Sequence, residues 1–291
     1  QMFKEKVYKI ALNGGMTCPN RDGHVGTGGC IFCSSQGSGD FAGSARLSIA
    51  EQIRQGKADI SSKRPVHSYI AYFQAFTNTY APVETLRALY MEAIADPEVK
   101  ILSIATRPDC LGADVLALLD EINHIKPVWV ELGLQTIHPE TSAYIRRGYE
   151  LSVFEQAVKE LRAIDITVIV HTILYLPGET KDDMLDTIHY LNHMDIQGIK
   201  LQLLHVLTHT DLAADYEKHP FYIPDMQDYI QFLGTCIAQL NPEIVIHRLT
   251  GDGPKDLLIA PLWTSNKRTV LNQLHSHLKE QDIWQGKEYY V

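Results

Sequence analysis

VYKIALNGGMTCPNRDGHVGTGGCIFC, residues 7–33, joins an apolar run to a glycine-rich loop that carries three of the five cysteines in the chain. The run VYKIAL (7–12) is rich in β-branched and aromatic residues and lacks strict alternation, the pattern of a strand covered on both faces. Behind it, Cys18, Cys30 and Cys33 follow the spacing C-x11-C-x2-C. A closed structural zinc site or an ordinary iron-sulfur site takes four protein ligands. Three cysteines leave one coordination position open.

Outward from this stretch, apolar runs of strand length alternate with stretches of helical period. Strands are expected at 7–12, 68–73, 100–106, 128–134, 166–176 and 199–207, and helices at 48–60, 82–95, 112–123, 152–164 and 180–194. Ser48 with Glu51 three residues on is a capping box for the first helix. Six βα units of this kind build a parallel α/β sheet, either a partial barrel or a doubly wound sheet, and alternation alone leaves both open. Ligands gather at the carboxyl ends of the strands in both, and the cysteine loop, 16–43, lies at that end of strand one. Past residue 210 the alternation fails. A polar, proline-containing connection (DYEKHPFYIPD), a helix at 224–240, a strand at 243–249 and a helix at 265–280 are expected to form a C-terminal subdomain, 211–291, that caps a core of 1–210.

A length of 291 residues with 45% hydrophobic content suits one large domain or two smaller ones. The formal charge is −9, from 26 basic and 35 acidic side chains, so no long-range field draws the whole molecule to nucleic acid or an anionic membrane. No stretch has the length of a membrane span and the start lacks a signal-peptide core, so a cytoplasmic location without a membrane partner is expected. The chain starts at Gln1, and further residues are expected to precede it. Five cysteines do not make a disulfide framework here; a tight trio in a reducing compartment reads as a metal site. From spacing alone, a Cys3His zinc knuckle with His24 as fourth ligand also answers to the trio, and it corresponds to a non-enzymatic zinc-binding interaction module. The glycines of GTGGC and GSGDFAG match neither a dinucleotide fingerprint nor a P-loop and are expected to allow tight turns around a metal group. Cys110 and Cys236 are expected to be small core residues.

The cysteine loop with an aromatic residue in CIFC, placed after the first of six βα units, resembles the radical S-adenosylmethionine (radical SAM) superfamily. Its long first gap departs from the commoner C-x3-C-x2-C. It is similar to the Elongator catalytic subunit and to a bacterial family whose features include CPNRDG, YFQAFTNTY, ELGLQTIHPETSAYIRRGY and LPGET. The resemblance implies a partial (β/α)6 TIM-like barrel. It implies that Cys18, Cys30 and Cys33 ligate a 4Fe-4S cluster whose fourth iron binds S-adenosylmethionine. Reductive cleavage would then give a 5'-deoxyadenosyl radical that takes hydrogen from substrate, the electron coming from an external donor such as flavodoxin or ferredoxin.

The same resemblance assigns cofactor contacts residue by residue. Phe32 would present backbone to the adenine. FQAFTNTY stands where relatives carry a Gly-Gly-Glu-like turn that meets the methionine amino group, with Gln74, Thr77 and Asn78 as substitutes. Thr106 would touch the cofactor from the end of strand three, and Gln135 the ribose from the end of strand four. Arg147 would pair with the methionine carboxylate, a role that suits a planar guanidinium, with Arg146 as the competing choice. His171 replaces an acidic ribose contact of some relatives. Arg248 and Asp252, after the extra strand, are substrate-side candidates, or else an ion pair.

For substrate, the resemblance implies tRNA and modification of the wobble uridine at its C5 substituent, of the type carboxymethylaminomethyl to aminomethyl. Lys4, Lys6, Lys9, Arg146, Arg147, Lys267 and Arg268 are the candidate phosphate contacts, against the negative net charge. The alternative keeps the radical chemistry and takes a small metabolite or a peptide.

Overall fold

The computed structural model describes residues 6–37, 39–62, 66–251 and 253–289. Its first six strands are β1 (Tyr8–Leu12), β2 (Tyr69–Phe73), β3 (Val99–Thr106), β4 (Val128–Gln135), β5 (Thr167–Leu174) and β6 (Gly198–Leu203). Between them run α1 (Ile49–Ser61), α2 (Val83–Ala95), α3 (Ala113–Asn123), α4 (Pro139–Tyr144), α5 (Leu151–Ala163) and α6 (Lys181–Asn192). After β6 come β7 (Val206–Leu207), α7 (Asp211–Lys218), α8 (Met226–Gln239), β8 (Val245–Arg248), β9 (Leu258–Ala260) and α9 (Lys267–Glu280).

Strand order decides between the two sheets that alternation leaves open. The order is β1-β2-β3-β4-β5-β6-β8, so each strand joins beside the previous one. A doubly wound sheet carries a point at which this order reverses. None is present among the described residues, and the fold is α/β with the sequential parallel order of a partial TIM-like barrel. The sheet holds one strand more than six βα units supply: β8, expected in a separate C-terminal part, pairs parallel with β6. Its connection through α8 is a further crossover of the same kind.

The chain divides into two compact units. One comprises Gln1–Gly29, Gln36–Gly133 and Ser152–Val168, the other Cys30–Ser35, Leu134–Leu151 and Ile169–Val291. The first is built on β1 to β3, with Tyr69, Phe73, Leu86, Tyr90, Ile101 and Ile104 fully buried and the Phe73 and Tyr90 rings edge to face at 5.3 Å. Ser48 caps α1 as its sequence predicts: its hydroxyl accepts from the Glu51 N–H, and the Glu51 carboxylate accepts from the Ser48 N–H. In the second unit, α8 turns Tyr229, Ile230, Leu233, Cys236 and Ile237 inward at helical spacing and packs against α6 and α9.

Two local differences from the sequence reading have clear causes. The strand expected at 199–207 breaks after Leu203, because Val206 and Leu207 leave the sheet to pair antiparallel with β9. The connection DYEKHPFYIPD opens in a helix, α7: the Thr210 hydroxyl accepts from the Ala213 N–H, and Pro220 follows just past its end.

Candidate functional site

In the first unit the loop after β1 folds on its own backbone. The Cys18 carbonyl accepts from the N–H groups of Arg21 and Asp22, at 2.8 and 3.3 Å. Gly29 has φ +78°, and a Cβ there would stand 2.9 Å from the Arg21 side chain. Further on, Gly37 has φ +55° and lies against Phe76, where a Cβ would meet ring carbons at 2.3 Å. The Phe76 N–H donates to the Gly37 carbonyl, so this glycine is required for the loop to close on the exit of β2.

That exit carries three predicted residues. Backbone bonds tie it to its neighbours: Gln74 N–H to Leu12 O, Thr77 N–H to Thr17 O, and Asn78 N–H to Ala105 O. Asn78 is completely buried. Its Nδ2 donates to the carbonyls of Phe73 (3.1 Å) and Ala105 (2.9 Å), and the buried Tyr90 hydroxyl donates to its carbonyl. Its Oδ1 is buried and receives no hydrogen bond among the described residues. A buried acceptor of this kind calls for a donor. Thr106, at the end of β3, lies 2.6 Å from the Thr79 hydroxyl, which itself donates to the Cys110 carbonyl. Thr79 has one proton, so Thr106 must donate to it and keeps only acceptor capacity.

Cys110 departs from its expected place. It closes a 3-10 turn, Pro108–Cys110, just beyond β3, and is only partly buried. Burial first, then the negative charges of Asp109 and Cys18, push its thiol up to about 12. Cys236 is the core residue expected, fully buried in α8, and burial pushes its thiol up to about 12 as well. All five cysteines are free thiols, and Cys18, Cys30 and Cys33 are partly exposed. Partly exposed thiols are a soft donor set that suits an iron-sulfur group.

In the second unit, Cys30 and Cys33 flank a turn in which the Cys33 N–H donates to the Cys30 carbonyl, with the Cys30 Sγ 3.8 Å from the Arg146 carbonyl. Ile31 anchors this turn. Its N–H donates to Ile145 O, its carbonyl accepts from Leu212 N–H, and its side chain joins a buried cluster with Ile145, Leu176, Leu204 and Val206. Phe32 packs on the same cluster.

Gln135 ends β4 with φ +65°. Arg147 is 3% exposed, and its Nη1 donates to Leu134 O (3.1 Å) and Thr136 O (2.6 Å), its Nε to Tyr149 O (3.2 Å). Arg146 is half exposed and pairs with Asp211. His171 on β5 lies in register with Lys200 on β6, and Lys200 with Arg248 on β8. Arg248 donates to Gln202 Oε1 at 3.1 Å. Asp252, with Lys4 of the basic set, lies outside the described residues.

Two acidic residues were not singled out by their sequence. Glu131, in the apolar run VWVELGL, is fully buried and accepts from Lys9 and Ser103. A lone acid in a buried strand was the available signal. Glu179, in LPGET, accepts from the Thr136 hydroxyl, and burial holds its carboxyl above the usual range. A carboxyl raised on folding costs stability as pH rises from its unfolded value through its folded one. Glu179→Gln is therefore expected to raise the melting temperature of the apoprotein at neutral pH and to leave it unchanged in acid below the ordinary carboxylate range. Equal shifts at both pH values in a thermal-unfolding series would refute this.

Among the described residues, one group brings three ligand atoms close enough for a single ion: His138, Asp183 and Asp186. It holds no cysteine, and His24 lies elsewhere with its ring 6.3 Å from Tyr80. Two of its three residues already have tasks. His138 Nε2 donates to the Asp183 carbonyl, and the Asp183 carboxylate caps α6 by accepting from Thr180. No helix among the described residues is long and apolar enough to cross a membrane.

The radical SAM superfamily profile matches residues 20–191, and that of the radical SAM C-terminal domain matches 196–280. The chain belongs to the radical SAM superfamily. It is 44% identical over 285 residues, 98% of its length, to the uncharacterised protein YtqA of Bacillus subtilis, of which it covers 88%. Among solved structures, the archaeal Elp3 of Methanocaldococcus infernus, with an N-terminal deletion, shares the fold at a TM-score of 0.70 and 14% identity. The alignment takes in 96% of this chain and 64% of that one, so this chain spans less than two thirds of its length. Coproporphyrinogen III oxidase (HemN) of Escherichia coli, a radical SAM enzyme, shares the fold at a TM-score of 0.54 and 15% identity, over 81% of this chain and 54% of that one. Members of the superfamily are enzymes that bind a 4Fe-4S cluster and S-adenosylmethionine.

Proposed function

We propose that this radical SAM enzyme holds a 4Fe-4S cluster through Cys18, Cys30 and Cys33 and modifies the wobble uridine of tRNA at its C5 substituent, converting carboxymethylaminomethyl to aminomethyl: the carboxymethyl methylene loses a hydrogen atom and then an electron to an electron acceptor, and water hydrolyses the resulting imine so that the two-carbon unit leaves as glyoxylate. The observation that carries the cofactor assignment is the trio of partly exposed free thiols in a family whose members bind this cluster. When bound, the cluster and S-adenosylmethionine supply a carbon-centred radical able to take hydrogen from the substrate. The chain's own residues bind and orient. Asn78 Oδ1 offers a buried acceptor to the methionine ammonium group, Thr106 an acceptor at the end of β3, and Gln135 a side chain for the ribose. His171, within β5, is a further ribose candidate by resemblance, and an external donor such as flavodoxin or ferredoxin supplies the electron.

The long gap of C-x11-C-x2-C and its likeness to the Elongator loop support the tRNA substrate. A second reading, radical chemistry on a small metabolite or peptide, is favoured by the fate of three of the expected phosphate contacts. Lys9 pairs with buried Glu131, Arg146 pairs with Asp211, and Arg147 is buried. Mass spectrometry of tRNA nucleosides from a deletion strain separates the two. Accumulation of the carboxymethylaminomethyl nucleoside with loss of the aminomethyl form is expected; an unchanged wobble uridine discards the tRNA reading and favours the second.

A further inference from the structure

The carboxyl end of β4 is strained, and the strain is held by one side chain. Thr136 N–H donates to Leu134 O at 2.9 Å across Gln135, whose φ is +65°. An i to i+2 bond over a residue of positive φ is the rare, strained form of the γ-turn. A non-glycine residue there is strained and persists only when its surroundings over-determine it. The surroundings are specific. Arg147 Nη1 bonds both Leu134 O and Thr136 O, the carbonyls on either side of Gln135. Extended backbone advances about 3.3 Å per residue, so carbonyls two residues apart lie too far apart to share one donor nitrogen. The tightened turn brings them within reach of one atom. The guanidinium is fixed in turn by Nε to Tyr149 O and by the Tyr149 ring, 4.7 Å below it. On the other side, the Thr136 hydroxyl donates to Glu179 and accepts from His138 N–H.

We propose that Arg147 is a positioning residue: by bridging the carbonyls that flank Gln135 it imposes the turn that aims the Gln135 side chain at the cofactor ribose. The proposal rests on the reading that this site takes S-adenosylmethionine. It differs from the role that resemblance alone gives Arg147, a direct pair with the methionine carboxylate. A planar fork is needed to meet two carbonyls and a third acceptor at fixed angles, so lysine does not substitute.

Two double-mutant cycles test it. The first reads thermal unfolding of the apoprotein. Arg147→Lys is expected to lower the melting temperature, and much less so in a Gln135→Gly background, where glycine occupies the turn without strain. If Arg147→Lys does not fold, recovery of a folded double variant makes the same point. Equal losses in both backgrounds overturn the clamp.

The second cycle reads equilibrium binding to the cluster-reconstituted protein, with S-adenosylmethionine and with 5'-methylthioadenosine, which keeps the ribose and lacks the carboxylate. Arg147→Lys is expected to weaken both by a similar factor, roughly tenfold or about 1.4 kcal/mol, and to add little once Gln135→Ala has removed the side chain being aimed. Weakening confined to S-adenosylmethionine, or fully additive effects, overturns the positioning role in favour of a carboxylate contact. A wild-type protein that binds neither compound overturns the cofactor reading and this role with it, while the thermal cycle still reports whether the clamp exists.

Discussion

Cys18→Ala, Cys30→Ala and Cys33→Ala are each expected to reduce 5'-deoxyadenosine formation from S-adenosylmethionine to background in the reconstituted, reduced enzyme, with iron and sulfide content falling in parallel. Loss of a group that only supports a metal ligand typically costs about 10 to 100-fold. Loss of the ligand itself is expected to exceed that, because three thiolates leave none to spare. The controls lie in the same chain. Cys110→Ala and Cys236→Ala are expected to keep cluster and cleavage, since both thiols are pushed up to about 12 by burial and are poor sources of thiolate at neutral pH. Cys110 is the more demanding control, because its thiol lies close enough to Cys18 to feel its charge. A trio variant with wild-type cleavage would refute the ligand assignment, and loss of cluster in Cys110→Ala would extend it.

What the sequence makes legible follows from how each feature is encoded. β1 to β5 fall within two residues of their expected starts and ends, because apolar runs and caps such as Ser48 with Glu51 are local signals. The cysteine loop is equally local. β8 is found as a strand by its own composition, yet its place beside β6 depends on a crossover that composition does not encode. β7 and β9 are too short to register against the apolar run that contains the first of them. Within the site, residue types are legible and partners are not. Arg147 meets Leu134 and Thr136 through their carbonyls, and a carbonyl leaves no mark on residue identity. Glu131 and Lys9 lie 122 positions apart, and their pairing follows from the sheet alone.

Asn78→Asp is expected to destabilise the apoprotein by about 3 kcal/mol, more than Asn78→Ala, although aspartate has nearly the same shape. Asn78 Nδ2 stands between two acceptors, Phe73 O and Ala105 O, and the residue is wholly buried. The network therefore fixes which end of the amide is nitrogen. Alanine removes two hydrogen bonds and leaves a small cavity. Aspartate also sets a carboxylate oxygen against both carbonyls in a site without water contact, where an unmatched polar group costs roughly 1 to 3 kcal/mol and a charged one more. At about 2 to 4 °C per kcal/mol for a chain of this order of size, the melting temperature should fall by roughly 10 °C. The deficit should shrink as pH falls, because a protonated carboxyl regains one donor and the buried acid titrates above its ordinary range. If Asn78→Asp melts no lower than Asn78→Ala, the amide is not oriented this way. The orientation matters to the proposed site as well as to the fold. With Nδ2 committed to Phe73 and Ala105, Oδ1 is the atom turned away from both carbonyls, and it can only accept. A protonated amine satisfies such an acceptor and a carboxylate does not. In the proposed site, the end of β2 would therefore receive the ammonium end of the methionine moiety rather than its carboxylate.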